Sequence, residues 1–296
     1  MDFDNSLKAL LKPGEATKFF DLENLKDFQI NTQGYSKINA WWLSELSRLV
    51  YKREISETKK AKKGFTRNRI LKKVNLTEDE FFNKGGTQCS IVKPLNTQDK
   101  KFAVVVFRGT DDTQAAFVDA KLGLVPWEQG GQVHQGFKDA LNKIWEKLNA
   151  KLDTLDCPVF YTGHSLGAAL AILAASRRPP QAVYNFGCPR VGDKDFSKTV
   201  KNIKIYRVVN NRDFVTRVPP AIEDSYYVHV GKLFYISHNN RMLISPDDKI
   251  VASDRQKRDE TLKLTTNKKT LLSFLPEDMS DHTPVNYVAH LERYLL

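Results

Sequence analysis

The sequence predicts an α/β fold, a mostly parallel central sheet flanked by helices. Two observations carry that expectation. Apolar, β-branched runs alternate with segments of helical period from Lys101 to Asn210, the pattern that sheets with crossover helices produce. One run, Pro158 to Thr162, leads into Gly163-His164-Ser165-Leu166-Gly167 and then Ala168 to Ala175, all strong helix formers. Strand, sharp Gly-x-Ser-x-Gly turn and helix are the context that projects a serine hydroxyl from the carboxyl end of a strand.

The chain has 296 residues, 41% of them hydrophobic, enough for one large α/β domain over 1–296 and too apolar for a disordered chain. No stretch reaches bilayer-spanning length. The first residues, Met1-Asp2-Phe3-Asp4, are acidic and lack the n-region and h-region of a secretory signal. Three cysteines, Cys89, Cys157 and Cys188, form neither a disulfide framework nor a zinc pattern. A reducing, cytoplasmic setting is expected, with signal-less export as the alternative, and neither cofactor nor metal is expected.

The net charge is +11. Much of it is local: between Tyr51 and Asn75, ten Lys or Arg stand against two Glu, a net +8. A solvated basic face or contact with an anionic membrane suits this stretch better than nucleic acid. Phe65 is the only ring between Arg53 and Lys73, and single-strand binders interleave aromatics with their cations.

Residues 1–35 read as an amino-terminal wrap outside the core. Ser36 suits the cap of a helix carrying Ile38, Trp42, Leu46 and Leu49 on one stripe. A small strand is expected at Gln88–Val92 after Gly85-Gly86, and a central one at Lys101–Phe107 ending in Arg108-Gly109-Thr110. The apolar connection after Thr110 suits a buried helix or a lid. Phe137, Leu141, Ile144, Leu148 and Leu152 then give an amphipathic crossover helix. Strands at Gln181–Phe186 and Ile203–Asn210 flank a short helix capped by Asp193. Ser225 to Ser237 reads as further β structure, Lys249 to Lys269 as an exposed loop or excursion, and the last helix starts near Pro284.

Ligands bind outside the carboxyl ends of such parallel strands, where Thr110, Ser165 and the loop after Asn210 would gather. A serine hydroxyl needs a base, and the base needs a group that fixes its tautomer. The order for this type of elbow is Ser, then Asp or Glu, then His. Asp213 follows the strand ending at Asn210 and fits the acid. Six histidines compete for the base. His164 adjoins the serine and cannot turn back to it, so it reads as packing. His134 precedes the elbow, His229 and His238 lie in the later β region, and His290 lies within the last helix. His282, in a loop just before that helix, is the choice. The developing oxyanion needs preorganised donors, worth about 3 kcal/mol each. The Leu166 backbone N–H supplies one, and Thr110, with its N–H and hydroxyl, the other.

Six ordered blocks then show a resemblance. Phe107-Arg108-Gly109-Thr110, Val133-His134-Gln135-Gly136-Phe137, the serine block and Phe186-Gly187-Cys188-Pro189-Arg190-Val191-Gly192 are the first four. Val208-Val209-Asn210 before Asp213 with Val218-Pro219-Pro220 after it, and Asp281-His282, complete the set. Over about residues 35–296 the chain resembles the class 3 lipases, the fungal triacylglycerol lipase-like family. The resemblance implies an α/β-hydrolase fold, a lid over residues 111–130 and action on acylglycerol or related lipid esters. It implies the same roles for Ser165, Asp213 and His282, with Thr110 and Leu166 at the oxyanion. Phospholipase A1, galactolipase and short-chain esterase remain open within the enzymes, and an inactive lipid- or partner-binding protein outside them.

Overall fold

The computed structural model describes residues 13–54, 66–96, 101–110, 123–220, 227–265 and 280–295. Its centre is an eight-stranded sheet with the order β1-β2-β3-β6-β7-β8-β9-β10. The strands are β1 Leu76–Lys84, β2 Thr87–Pro94, β3 Ala103–Phe107, β6 Val159–His164, β7 Ala182–Phe186, β8 Ile205–Asn210, β9 Lys232–Ile236 and β10 Met242–Ile244. β3, β6, β7, β8 and β9 are parallel, while β1, β2 and β10 are antiparallel to their neighbours at the margins. This is the α/β-hydrolase fold.

Side chains two apart on a strand share a face, and β3 shows how both faces are filled. Val105 and Phe107 enter a core with α3, Gln135–Asp153, and α4, Leu166–Arg177, whereas Val104 and Val106 enter one with α1, Lys37–Leu49, and α7, Pro284–Arg293. Helix α4 is apolar all round and buried from Gly167 to Ala175, as a helix wedged inside a core must be. The predicted caps form: Ser36 Oγ accepts from the Asn39 N–H at 3.1 Å, and Asp193 Oδ1 accepts from the Phe196 N–H at 2.7 Å. Asp193 thereby starts α5, Lys194–Thr199. Among the described residues no helix is long and apolar enough to cross a membrane.

Four places differ from the sequence expectation. The amino-terminal wrap enters the core: Phe28 is buried, stacked on Phe102 at 4.6 Å and edge-on to Phe160 at 5.0 Å. The polar stretch Thr77-Glu78-Asp79-Glu80, to which the sequence reading assigned no element, belongs to edge strand β1, where Asp79 pairs with Lys93 at 3.0 Å and Lys151 at 2.9 Å. The polar excursion is helix α6, Asp248–Thr265. It is anchored by Val251 beside Val209 and Tyr235, and by Asp254, which accepts from Asn211 Nδ2 at 2.7 Å and Tyr235 Oη at 3.0 Å.

The fourth is the basic stretch, part of which serves the fold. Lys52 Nζ donates to Ala16 O at 2.6 Å, and Arg53 Nη1 to Gln88 Oε1 at 3.0 Å. Arg67, which opens α2, Arg67–Lys72, is buried and forks onto Glu78 at 2.8 and 3.0 Å. Arg69, Lys72 and Lys73 are exposed, and Lys59, Lys60, Lys62 and Lys63 lie outside the described residues.

Most of the expected lid, residues 111–122, also lies outside the described residues. Its remainder forms β4, Leu124–Pro126, paired with β5, Gln132–His134. Trp127 in the intervening turn is buried, donates to Ser176 Oγ at 2.9 Å and lies under the Arg177 guanidinium at 4.4 Å.

Candidate active site

Ser165 occupies the single position between β6 and α4, with φ 59° and ψ −127°. Positive φ is strained for a residue with a Cβ, by about 1–3 kcal/mol. The surroundings impose it: the Ser165 N–H donates to Phe186 O at 3.0 Å while its carbonyl accepts from the Ala168 N–H at 3.0 Å. The turn closes only because Gly163 has no side chain, since a Cβ there would lie 2.3 Å from the Gly167 carbonyl carbon.

The carboxyl ends of β6, β7 and β8 bring the other groups to Ser165. Asp213 follows β8 and is fully buried. His282 Nδ1 donates to its Oδ1 at 2.9 Å and Oδ2 at 2.8 Å, so the proton is on Nδ1 and Nε2 is left to receive one. The Val215 N–H donates to Oδ1 at 2.9 Å. The Tyr287 hydroxyl donates to Oδ2 at 2.6 Å. Burial pushes the Asp213 carboxyl up, but the His282 charge and the hydrogen bonds from His282 and Tyr287 outweigh it and hold it below the usual range. Gly187 leaves room for the pair: it sits at φ +60°, and a Cβ there would lie 2.7 Å from Asp213 Oδ2 and 3.0 Å from the His282 ring.

Ser165 Oγ and His282 Nε2 are buried, and neither has a hydrogen-bond partner among the described residues. The Leu166 N–H is the first of α4 and has no partner within the helix. The Arg108-Gly109-Thr110 loop lies against the elbow, with a Cβ on Gly109 falling 2.7 Å from His164 O. All five residues singled out in the sequence therefore lie at this edge of the sheet. Among the described residues, no group of three or more His, Cys, Asp or Glu is placed to hold a metal ion.

Two neighbours escaped the sequence reading. Tyr287, in the first turn of α7, reaches Asp213; the one cue was its position five residues after His282. His164, read as packing, hydrogen-bonds through both ring nitrogens, to Tyr51 Oη at 3.1 Å and His282 O at 2.6 Å. Nothing local in the sequence marks Tyr51. The remaining histidines stand elsewhere: His238 Nδ1 pairs with Asp254, His229 Nε2 donates to Thr216 O at 2.8 Å, and His134 stacks on Phe137 at 4.1 Å.

Residues 104–223 match the model of the family described as Lipase (class 3). Over those residues, about two fifths of its length, the chain is similar to the class 3 lipases. The lipase of Rhizomucor miehei is 33% identical over 159 residues, 48% of this chain and 43% of that protein. Its structure in complex with its propeptide superimposes with a TM-score of 0.51 at 28% identity, over 57% of this chain and 60% of that one. The chloroplastic phospholipase A(1) DAD1 of Arabidopsis thaliana is 44% identical over 73 residues, 22% of this chain and 16% of that protein. A mono- and diacylglycerol lipase from Aspergillus oryzae shares the fold, with a TM-score of 0.63 at 20% identity over 88% of this chain and 99% of that one. The matches span less than half the length of the first curated relatives.

Proposed function

We propose that this chain is a member of the class 3 lipase family and hydrolyses lipid carboxylic esters through an acyl-enzyme on Ser165. The observation that carries the reading is the Asp213–His282 pair beside a serine held at positive φ, with both reacting atoms buried and unpaired among the described residues. Ser165 Oγ attacks the ester carbonyl carbon as His282 Nε2 takes its proton, and Asp213 stays ionised and stabilises the imidazolium. The Leu166 N–H and Thr110 hold the oxyanion. Collapse of the tetrahedral adduct expels the alcohol, which takes the proton from His282. Water, activated by His282, attacks the acyl-enzyme, and the fatty acid leaves.

The test is the initial hydrolysis rate on p-nitrophenyl butyrate and palmitate, for the native chain and Ser165→Ala in parallel. Turnover that Ser165→Ala abolishes supports the reading. Equal rates remove Ser165 as nucleophile, and no turnover by either chain, with or without a lipid interface, favours a binding protein.

A second reading, phospholipase A1, draws on the 44% identity to the Arabidopsis enzyme. Fatty-acid release from phosphatidylcholine against trioleoylglycerol separates the two. Contact with an anionic membrane is the further part of the proposal, resting on the exposed Arg69, Lys72 and Lys73 and the neighbouring lysines of the basic stretch. Turnover on anionic vesicles should fall as salt rises, and turnover indifferent to salt would exclude that part.

A further inference from the structure

Two features of the site have no part in the proton transfers described above. One is His164, buried and next to Ser165 in the chain, its ring 4.5 Å from that of His282. The other is Tyr51, just beyond α1, whose hydroxyl reaches across Gly109 to the His164 ring.

The hydrogen-bond chain between them has one consistent direction. His282 O is a carbonyl oxygen and only accepts, so His164 Nε2 carries the proton in their 2.6 Å contact. Burial holds the imidazole neutral by lowering its pKa to about 3. A neutral ring protonated at Nε2 has a lone pair at Nδ1, so the Tyr51 hydroxyl donates in the 3.1 Å contact. Space for that hydroxyl exists because residue 109 is glycine: a Cβ would lie 2.1 Å from Tyr51 Oη.

The geometry points to His164 as a positioning residue for the base: its Nε2–H grips the His282 carbonyl, and Tyr51 fixes the tautomer that makes the grip. The inference rests on the proposed hydrolase reading and adds a division of labour to it. Asp213 orients the His282 ring through Nδ1, whereas His164 locates the His282 main chain. His164 is also bonded covalently to Ser165, so the link between nucleophile and base runs through one residue. A rigid short link matters because errors of about 1 Å in such a placement cost about 100-fold in rate. A side chain that only filled space would need neither of the two hydrogen bonds.

The experiment compares native protein, His164→Leu, His164→Gln and Tyr51→Phe on p-nitrophenyl butyrate, with circular dichroism and thermal unfolding as the check on folding. The Gln amide N–H lies near the place of Nε2–H and retains the grip; Leu removes it. We expect kcat to fall about 100-fold in His164→Leu and about tenfold in Tyr51→Phe, with KM within about twofold of native, and His164→Gln to recover most of the loss. Nitrogen-15 spectra of labelled histidine in the native protein should show His164 neutral and protonated at Nε2 from about pH 5 to 8.

Folded His164→Leu with native kcat overturns the inference and leaves the hydrolase reading intact, as does folded Gln no better than folded Leu. If the Leu variant does not fold, native kcat in Tyr51→Phe, or a His164 proton on Nδ1, overturns it equally. A native chain without esterase activity removes both readings together.

Discussion

Tyr287 donates to Asp213 Oδ2 at 2.6 Å, on the same carboxylate that holds His282. The loop before α7 and the first turn of α7 thus both bind the Asp213 carboxylate. The Tyr287 hydroxyl also accepts from the Asn210 N–H at 3.1 Å, so the end of β8 and the start of α7 share one buried polar junction.

Tyr287→Phe removes this donor without changing the ring packing. A hydrogen bond to a charged acceptor contributes about 2 kcal/mol, so kcat/KM should fall by about 30-fold. The Asp213 carboxyl should become easier to protonate. A depressed carboxyl stabilises the fold above its unfolded pKa and ceases to do so as pH falls through its folded value, so acid inactivation should begin at higher pH in the variant. The kcat/KM–pH profile and acid unfolding of the two proteins check both points.

Asp213→Asn tests the tautomer. An amide in place of the carboxylate no longer selects Nδ1–H on His282, and the imidazolium formed in the first step loses its counter-charge. The rate of p-nitrophenyl butyrate hydrolysis should fall by about 10⁴-fold. Activity within tenfold of native would contradict the assignment of Asp213.

Three neutral histidines, His134 and His164 buried and His229 half-buried, make the fold acid-sensitive. Burial lowers the pKa of His134 to about 4 and that of His164 to about 3. Burial and the nearby Arg207 and Arg190 hold His229 well below the usual range. Each is neutral in the folded state at pH 5 but takes up a proton on unfolding below about pH 6.5. Stability should therefore fall as pH drops from about 6.5 towards 4, by up to about 1.4 kcal/mol per pH unit for each histidine. Urea unfolding midpoints at several pH values test this. His134→Phe should flatten the slope, since neither His134 nitrogen has a hydrogen-bond partner among the described residues.

Asp254→Asn probes the anchor of α6. The carboxylate accepts from Asn211, Tyr235 and the His238 N–H at 2.7, 3.0 and 2.9 Å. Its loss should cost about 2 kcal/mol, the worth of charged hydrogen bonds in a partly buried setting. Hydrogen exchange should then speed up in α6 and at Asn211, two residues before Asp213. Unchanged protection in α6 would contradict this anchoring.

The central strands, α3, α4 and the elbow were legible because each is dictated by neighbours in sequence. A fully buried strand such as Val104-Val105-Val106 must be apolar on both faces, and a serine between strand and helix needs flanking glycines. Chain order then separated Asp213 and His282 from their competitors. The charged helix α6 and edge strand β1 were not legible, because contacts from distant residues hold them: Val251 and Asp254 on Val209 and Tyr235, Asp79 on Lys151. The same holds for Lys52 and Arg67, which read as surface charge until Ala16 and Glu78 close over them.

The sequence by itself determined the parallel sheet and the order of serine, aspartate and histidine, since these follow from local periodicity and chain direction. Only the tertiary structure decided the hydrogen bonds of Tyr287 to Asp213 and of Tyr51 through His164 to His282. Tyr51 and His164 are 113 residues apart, and His164 and His282 are 118 apart. No local pattern encodes such pairings; they arise when the sheet and the helices on its faces pack.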